Sequence, residues 1–319
     1  MTQFNLSSAR AARDHQNQLT KPPGSLGRFE TLAEFMAGWQ ERADPRVDRA
    51  QAVVFAGNHG ICARGVNPFP ASVTALMVEN FRNGGAAINQ ICRVAGADLS
   101  VVALDLDRPT GDFTAGPAMD ATEVMRAMHA GAQAVDPAAQ VLVLGEMGIG
   151  NSTVAAALAA ATFGGSGEDW VGPGTGSDAA GLSLKARVVD QGLELHDAAE
   201  TSIETLMAFG GREQAAICGA VMRARELRIP VILDGFICSA AAAVLLRDDP
   251  DALAHCLVGH LSLEPGHRRL VTAMKKDPVL ALDMRLGEGS GAAVALMILR
   301  AALECHNGMA SFAEAGISA

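Results

Sequence analysis

The chain has 319 residues, 49% of them apolar, enough to bury a sizeable core in one large domain or two smaller ones. A formal charge of −10 at pH 7 argues against a general nucleic-acid or anionic-membrane surface and leaves room only for local basic sites that hold small phosphates. Six scattered cysteines (Cys62, Cys92, Cys218, Cys238, Cys256, Cys305) form no CxxC or Cys/His metal spacing, so reduced thiols and no metal are expected.

The first residues carry no basic-then-apolar leader pattern, and apolar stretches such as "SAAAAVLL" are too short to span a bilayer. A cytoplasmic protein is therefore expected. Residues 1–50 read as mostly helical and polar, broken by "KPPGSLGR" at 21–28. One arrangement then recurs: an apolar run ends in Gly or Asp-Gly, and small residues open a helix. It occurs in "AVVFAGNHG" (52–60), "VLVLGEMGIGNSTVAAALAAA" (141–161) and "PVILDGFICSAAAAVLL" (230–246), with "LSVVAL" (99–104) as a further buried strand. Continuous rather than alternating apolar runs predict a parallel sheet covered on both faces, hence an α/β, Rossmann-like fold. In such sheets ligands bind at the carboxyl ends of the strands, where these glycine turns fall. The chain ends, 1–50 with 283–319, are expected to pack as a smaller helical domain beside a large domain of 51–282. The glycine-rich stretch 164–178 is a candidate lid.

Within "VLVLGEMGIGNST" the glycines Gly145, Gly148 and Gly150 are spaced GxxGxG. That fails the dinucleotide fingerprint, and the absence of GK[ST] fails the P-loop. Backbone N–H groups at a helix start favour anions, and Asn151, Ser152 and Thr153 either donate to a phosphate or cap the helix. A plain strand-to-helix turn is the competing reading. Lys185 is either a phosphate counter-charge or a solvated lysine; Ser262 is a donor or a cap. Asp234, beside Gly235, sits at the ligand edge or makes a local Asx-turn. His59 reads more readily as structural than catalytic, and nothing forces Arg64 toward an anion. Glu288 in "RLGEGSG" and Glu146 in the opening turn are each carboxylates set among glycines, open to close approach or merely exposed turn acids. Two such acids near an anion site suit chemistry that needs a base and develops positive charge, as in glycosyl transfer.

"TKPPGSLGRFE", "FAGNHGI", "GEMGIGNST", "PVILDGF" and "MRLGEGSGAA" occur in this order, from Lys21 nearly to the end. Together they resemble the nicotinate-nucleotide:dimethylbenzimidazole phosphoribosyltransferases of cobalamin lower-ligand assembly. The resemblance implies transfer of phosphoribose from nicotinate mononucleotide to dimethylbenzimidazole with inversion at the anomeric carbon, no cofactor or metal, and a homodimer. It implies that Glu288 is the general base. On that footing Gly148, Ile149, Gly150, Asn151 and Ser152 would take the phosphate, with Lys185 and Ser262 assisting, and Glu146 would face the ribose. Asp234, Gly235, Leu286 and Gly287 would complete the substrate site. Phe69 and Met77 stand where better-known members place a Ser and a Gln against the base, implying a more apolar pocket. A nucleotide-dependent oxidoreductase, a non-catalytic sensor and a transferase using another base or a phenol are the competing readings; the last keeps every motif except the pocket walls.

Overall fold

The computed structural model describes residues 2–174 and 176–317. Five parallel strands form one sheet: β1 (Ala50–Ala56), β2 (Ala97–Ala103), β3 (Val141–Met147), β4 (Val231–Leu233) and β5 (Cys256–Val258), in the spatial order β2-β1-β3-β4-β5. The helices are α1 (Leu6–Gln16), α2 (Arg28–Gln40), α3 (Ser72–Arg82), α4 (Ala87–Ala95), α5 (Ala121–Gln133), α6 (Asn151–Phe163), α7 (Ala179–Leu195), α8 (Ser202–Phe209), α9 (Arg212–Glu226), α10 (Phe236–Ala243), α11 (Pro265–Ala273) and α12 (Ser290–Gly308).

The expected α/β fold is present. The four anticipated strands form, and β5, whose apolar run is only three residues, joins them at the edge. Alternate residues of the inner strands serve opposite faces. Val53 and Phe55 of β1, Leu142 and Leu144 of β3, and Val231 and Leu233 of β4 enter one core with helices α5 to α11. Ala52 and Val54, Val141 and Val143, and Ile232 enter the other, with Leu32 and Met36 of α2, Ile88 of α4 and Leu296 and Leu299 of α12. Both faces being covered is why these strands read as unbroken apolar runs. The alanine-rich α6 is buried along nearly its whole first three turns, as befits a helix apolar on all sides.

The chain ends meet: Leu19 bridges Ser311, Gln16 Nε2 and His306 Nδ1 are 2.8 Å apart, and α1 and α12 both pack on α2. Helix α12 also lies against the sheet. No helix among the described residues is long and apolar enough to cross a membrane.

The strand order reverses between β1 and β3: the chain leaves β1 for β2 on one side, then returns to β3 on the other. A crevice opens at the carboxyl ends of such a pair, and ligands bind there.

Candidate active site

A cavity of about 530 Å³ opens at this carboxyl edge. Its floor is the turn between β3 and α6. Gly150 caps α6 at φ +91°, a left-handed conformation open to glycine without steric penalty. The turn's amides divide in alternation. Ile149 N–H donates to Thr74 Oγ1 at 3.1 Å and Asn151 N–H to Gly148 O at 3.2 Å. Among the described residues, the N–H groups of Gly148, Gly150 and Ser152 have no partner. Three free donors at a helix N-terminus make an anion cradle.

Lys185, on α7, is buried rather than solvated, and its Nζ donates to Ser152 Oγ at 3.3 Å and Gly172 O at 3.1 Å. Burial pulls its pKa below the ordinary lysine value, against the opposing pull of Glu264. It stands behind Ser152 rather than in the cavity wall. Ser262 lines the cavity, and its Oγ accepts the N–H of Glu264 at 3.2 Å. Glu264 in turn takes the N–H of Gly174 on Oε1 at 3.0 Å, and Arg285 donates to Gly174 O at 3.0 Å. The stretch proposed as a lid is thereby tied to the cavity rim at Gly174. Its Trp170 is fully buried, with Arg269 5.0 Å from the ring centroid; Thr175 lies outside the described residues.

Of the four carboxylates that line the cavity, Glu146 and Glu288 come from the two glycine turns. Glu146 is in β3, and Asn151 Nδ2 donates to its Oε2. Glu288 stands between Gly287 and Gly289 with all three residues at positive φ, Glu288 at +64°. A non-glycine residue held there stores backbone strain, which concentrates at functional sites. Both acids are buried, at 5% and 7% exposure, so neither is a solvated turn acid. The two glycine turns interlock. A Cβ on Gly145 would lie 2.5 Å from Gly289 N, and one on Gly287 would lie 2.6 Å from Glu146 Oε1.

This crowding of negative charge sets the protonation. Burial, then the charge of Asp234, pushes Glu288 up to about 7. Burial, then Asp234 and Glu213, raises Glu146 to about 8 against the opposing hydrogen bond from Asn151. Carboxylates tuned toward neutrality suit proton transfer.

Asp234 also lines the cavity, but its oxygens are already engaged: Oδ2 accepts from Gly289 N at 3.1 Å and Oδ1 from Ala292 N at 2.9 Å, with His260 Nε2 3.4 Å from Oδ1. It makes a bridge from β4 to α12 rather than the local Asx-turn weighed from sequence. Gly235, Gly287 and Leu286 also line the cavity, Leu286 as a half-exposed rim. Phe69 and Met77 are not among the cavity-lining residues. Phe69 is half exposed, and Met77 on α3 packs against the core under the second sheet face. Helix α3 serves the site through Thr74 instead. Arg64 pairs with Asp112 at 2.6 Å near the surface.

Sequence reasoning did not single out Thr74, Asn67, Glu264, Arg285, Phe236, Ile237 or His260, all of which touch the turn or line the cavity. Each lies within three residues of a quoted candidate, and that proximity was the only signal the sequence carried for them.

The phosphoribosyltransferase family model matches residues 1–317. The nicotinate-nucleotide–dimethylbenzimidazole phosphoribosyltransferase of Rhodobacter capsulatus is 61% identical over 97% of this chain and 92% of its own, and that of Roseobacter denitrificans is 59% identical over 97% and 91%. The crystal structure of CobT from Thermus thermophilus superposes with a TM-score of 0.93 at 39% identity, covering 98% of this chain and 99% of that one. The chain belongs to the nicotinate-nucleotide–dimethylbenzimidazole phosphoribosyltransferase family and is a pentosyl-transferring enzyme.

Proposed function

We propose that this enzyme moves the phosphoribosyl group of nicotinate mononucleotide to a benzimidazole-type base, dimethylbenzimidazole in the first instance. The products are α-ribazole phosphate and nicotinate, with inversion at the anomeric carbon. The observation that carries the reading is the convergence of Glu146 and Glu288 on one cavity whose floor offers the free N–H groups of Gly148, Gly150 and Ser152.

Each part has a task. The turn, backed by Lys185 and Ser152, holds the phosphate and fixes the ribose. The bond from C1′ to the pyridinium nitrogen breaks, and its electron pair leaves with neutral-ring nicotinate, so no acid is needed. One nitrogen of the incoming base attacks C1′ from the opposite face. Its other nitrogen gives its proton to Glu288, which acts as general base. Glu146 faces the ribose. The positive charge of the bound pyridinium lowers its pKa, so that its proton is released to solvent as the donor binds and the side chain is an anion when oxocarbenium charge develops. Holding both reactants in line across the crevice supplies much of the acceleration. The enzyme works as a homodimer and needs no cofactor.

The second reading is a transferase with the same donor and another base or a phenol as acceptor. Apolar groups of Phe236, Ile237 and Leu286 on the cavity wall favour keeping it, because apolar walls separate similar shapes weakly.

A product assay decides between them. Purified protein is mixed with nicotinate mononucleotide and dimethylbenzimidazole, wild type beside Glu288→Gln, and nicotinate and α-ribazole phosphate are followed by chromatography. The expected result is both products from wild type and a loss of about 10²- to 10⁴-fold in kcat for the variant. Donor binding without products would move the assignment to another acceptor.

A further inference from the structure

The "FAGNHGI" stretch supplies no wall of the cavity, yet its histidine lies directly behind the phosphate turn. His59 follows β1, and Glu213 is the second residue of α9. His59 Nε2 and Glu213 Oε1 are 3.0 Å apart, and both side chains are completely buried. The contact is one of proximity rather than an aligned hydrogen bond, and none of the side-chain N or O atoms of the two residues has a hydrogen-bond partner among the described residues. A carboxylate in a dry interior is tolerated only when paired, so each side chain accounts for the other's presence.

Three glycines from three segments make room for this pair. A Cβ on Gly57 would strike the Glu213 carboxylate, one on Gly211 would lie 2.6 Å from Glu213 Oε2, and one on Gly148 would lie 2.9 Å from His59 Nε2. The neighbouring Gln214 is also fully buried. Its Nε2 donates to the carbonyl of Asn151 at 3.3 Å, and its Oε1 accepts from Gly211 N at 2.7 Å. Two successive side chains at the start of α9 therefore reach both ends of the turn, Glu213 through His59 at Gly148 and Gln214 directly at Asn151.

A turn of glycines has few side chains with which to lock itself, while an anion cradle works only if its amides are aimed before the anion arrives. We infer that His59, Glu213 and Gln214 are positioning residues for the donor's phosphate: they hold the turn from behind and never touch substrate. The inference rests on the proposed reading of the 148–152 turn as the phosphate site.

The test is a split between KM and kcat. Glu213→Gln keeps the shape and removes the charge. Measured above pH 8, where loss of Glu213's charge no longer alters the ionisation of Glu146, its KM for nicotinate mononucleotide should rise roughly 10- to 100-fold with kcat within about threefold of wild type. With nicotinate riboside, which lacks the phosphate, kcat/KM should stay unchanged. The double variant H59N/E213Q, with no orphaned partner, should recover part of the lost affinity. Should Glu213→Gln fail to fold, Gln214→Met carries the same expectation through Asn151. Lys185→Met, run alongside, reports on the turn itself. If Lys185→Met leaves KM unmoved, the phosphate reading of the turn fails. If Lys185→Met raises KM while Glu213→Gln lowers only Tm, or impairs the riboside equally, the positioning inference is overturned and the pair is structural.

Discussion

Asp234 Oδ2 accepts the backbone N–H of Gly289 at 3.1 Å, one residue beyond the proposed base. With Oδ1 on Ala292 N, the carboxylate at the end of β4 grips the turn that displays Glu288 and ties it to the first turn of α12. Glu288 keeps its strained φ of +64° because that turn is held from below by Asp234 and from the side by Gly145. The acid therefore influences the base twice, by geometry and by charge.

The charge has a consequence for pH. Glu288 faces Asp234 and Glu146, and is pushed up to about 7 by burial and then by Asp234; Glu146 is raised to about 8. A base works deprotonated, so kcat/KM should rise with pH through the range 7 to 8 and level off above it, the two apparent values belonging to the coupled pair. Asp234→Asn should move that limb toward acid by on the order of one unit, with a lower plateau from the weakened grip. A limb that stays in place would show that another group sets it.

Glu146 should trade stability for function. Its folded-state pKa, about 8, lies above the ordinary 4.5. The unfolded chain thus ionises first, so the residue's contribution is most favourable below 4.5 and is lost as pH rises toward 8. Glu146→Gln removes that penalty, about 3 kcal/mol at pH 7 and about 5 kcal/mol above pH 8, while its oxygen still accepts from Asn151. Tm curves of wild type and variant between pH 5.5 and 8.5 should diverge as pH rises by about several degrees, the variant higher. Its turnover should fall at least about tenfold. Parallel Tm curves would mean the carboxylate does not titrate there.

The interlock of the two turns is testable at Gly145. An alanine there places its Cβ 2.5 Å from Gly289 N and 2.6 Å from Glu288 O, both backbone atoms with nowhere to yield. Gly145→Ala should displace Glu288 and cut kcat by about 10² or more, at a stability cost of about 1–3 kcal/mol. A variant with normal kcat would show that the base is not held against β3.

Acceptor breadth follows from the cavity wall. Phe236, Ile237 and Leu286 present shape more than hydrogen bonds to a flat base. Several benzimidazoles should compete within about a hundredfold of one another in kcat/KM. Sole use of dimethylbenzimidazole in a mixed-base assay would contradict this and point to a polar contact to the base.

The sequence by itself determined the parallel α/β fold, because strands buried on both faces must be apolar at every position, and β1 and β3 show that directly. It determined the carboxyl-edge glycine turns and singled out Glu146 and Glu288 within them, because glycine runs after such strands are local signals. It did not reveal β5, which lacks the Asp-Gly turn and small-residue helix that mark the equally short β4. Only the tertiary structure decided which charges are buried and what meets them. Lys185 reads as an ordinary surface lysine until α7 packs it behind Ser152. Asp234 reads as a ligand-edge acid and does line the cavity, but only the arrival of Gly289 and the first turn of α12 engages both its oxygens. Phe69 and Met77 are not among the residues that line the cavity; from their stretch Asn67 lines it and Thr74 of α3 meets the turn. His59 acquires a partner only when α9 brings Glu213 beneath β1. Periodicity and turn chemistry act over a few residues and are written locally; desolvation and charge pairing depend on which distant segments come together, and that is set by the packing of the whole chain.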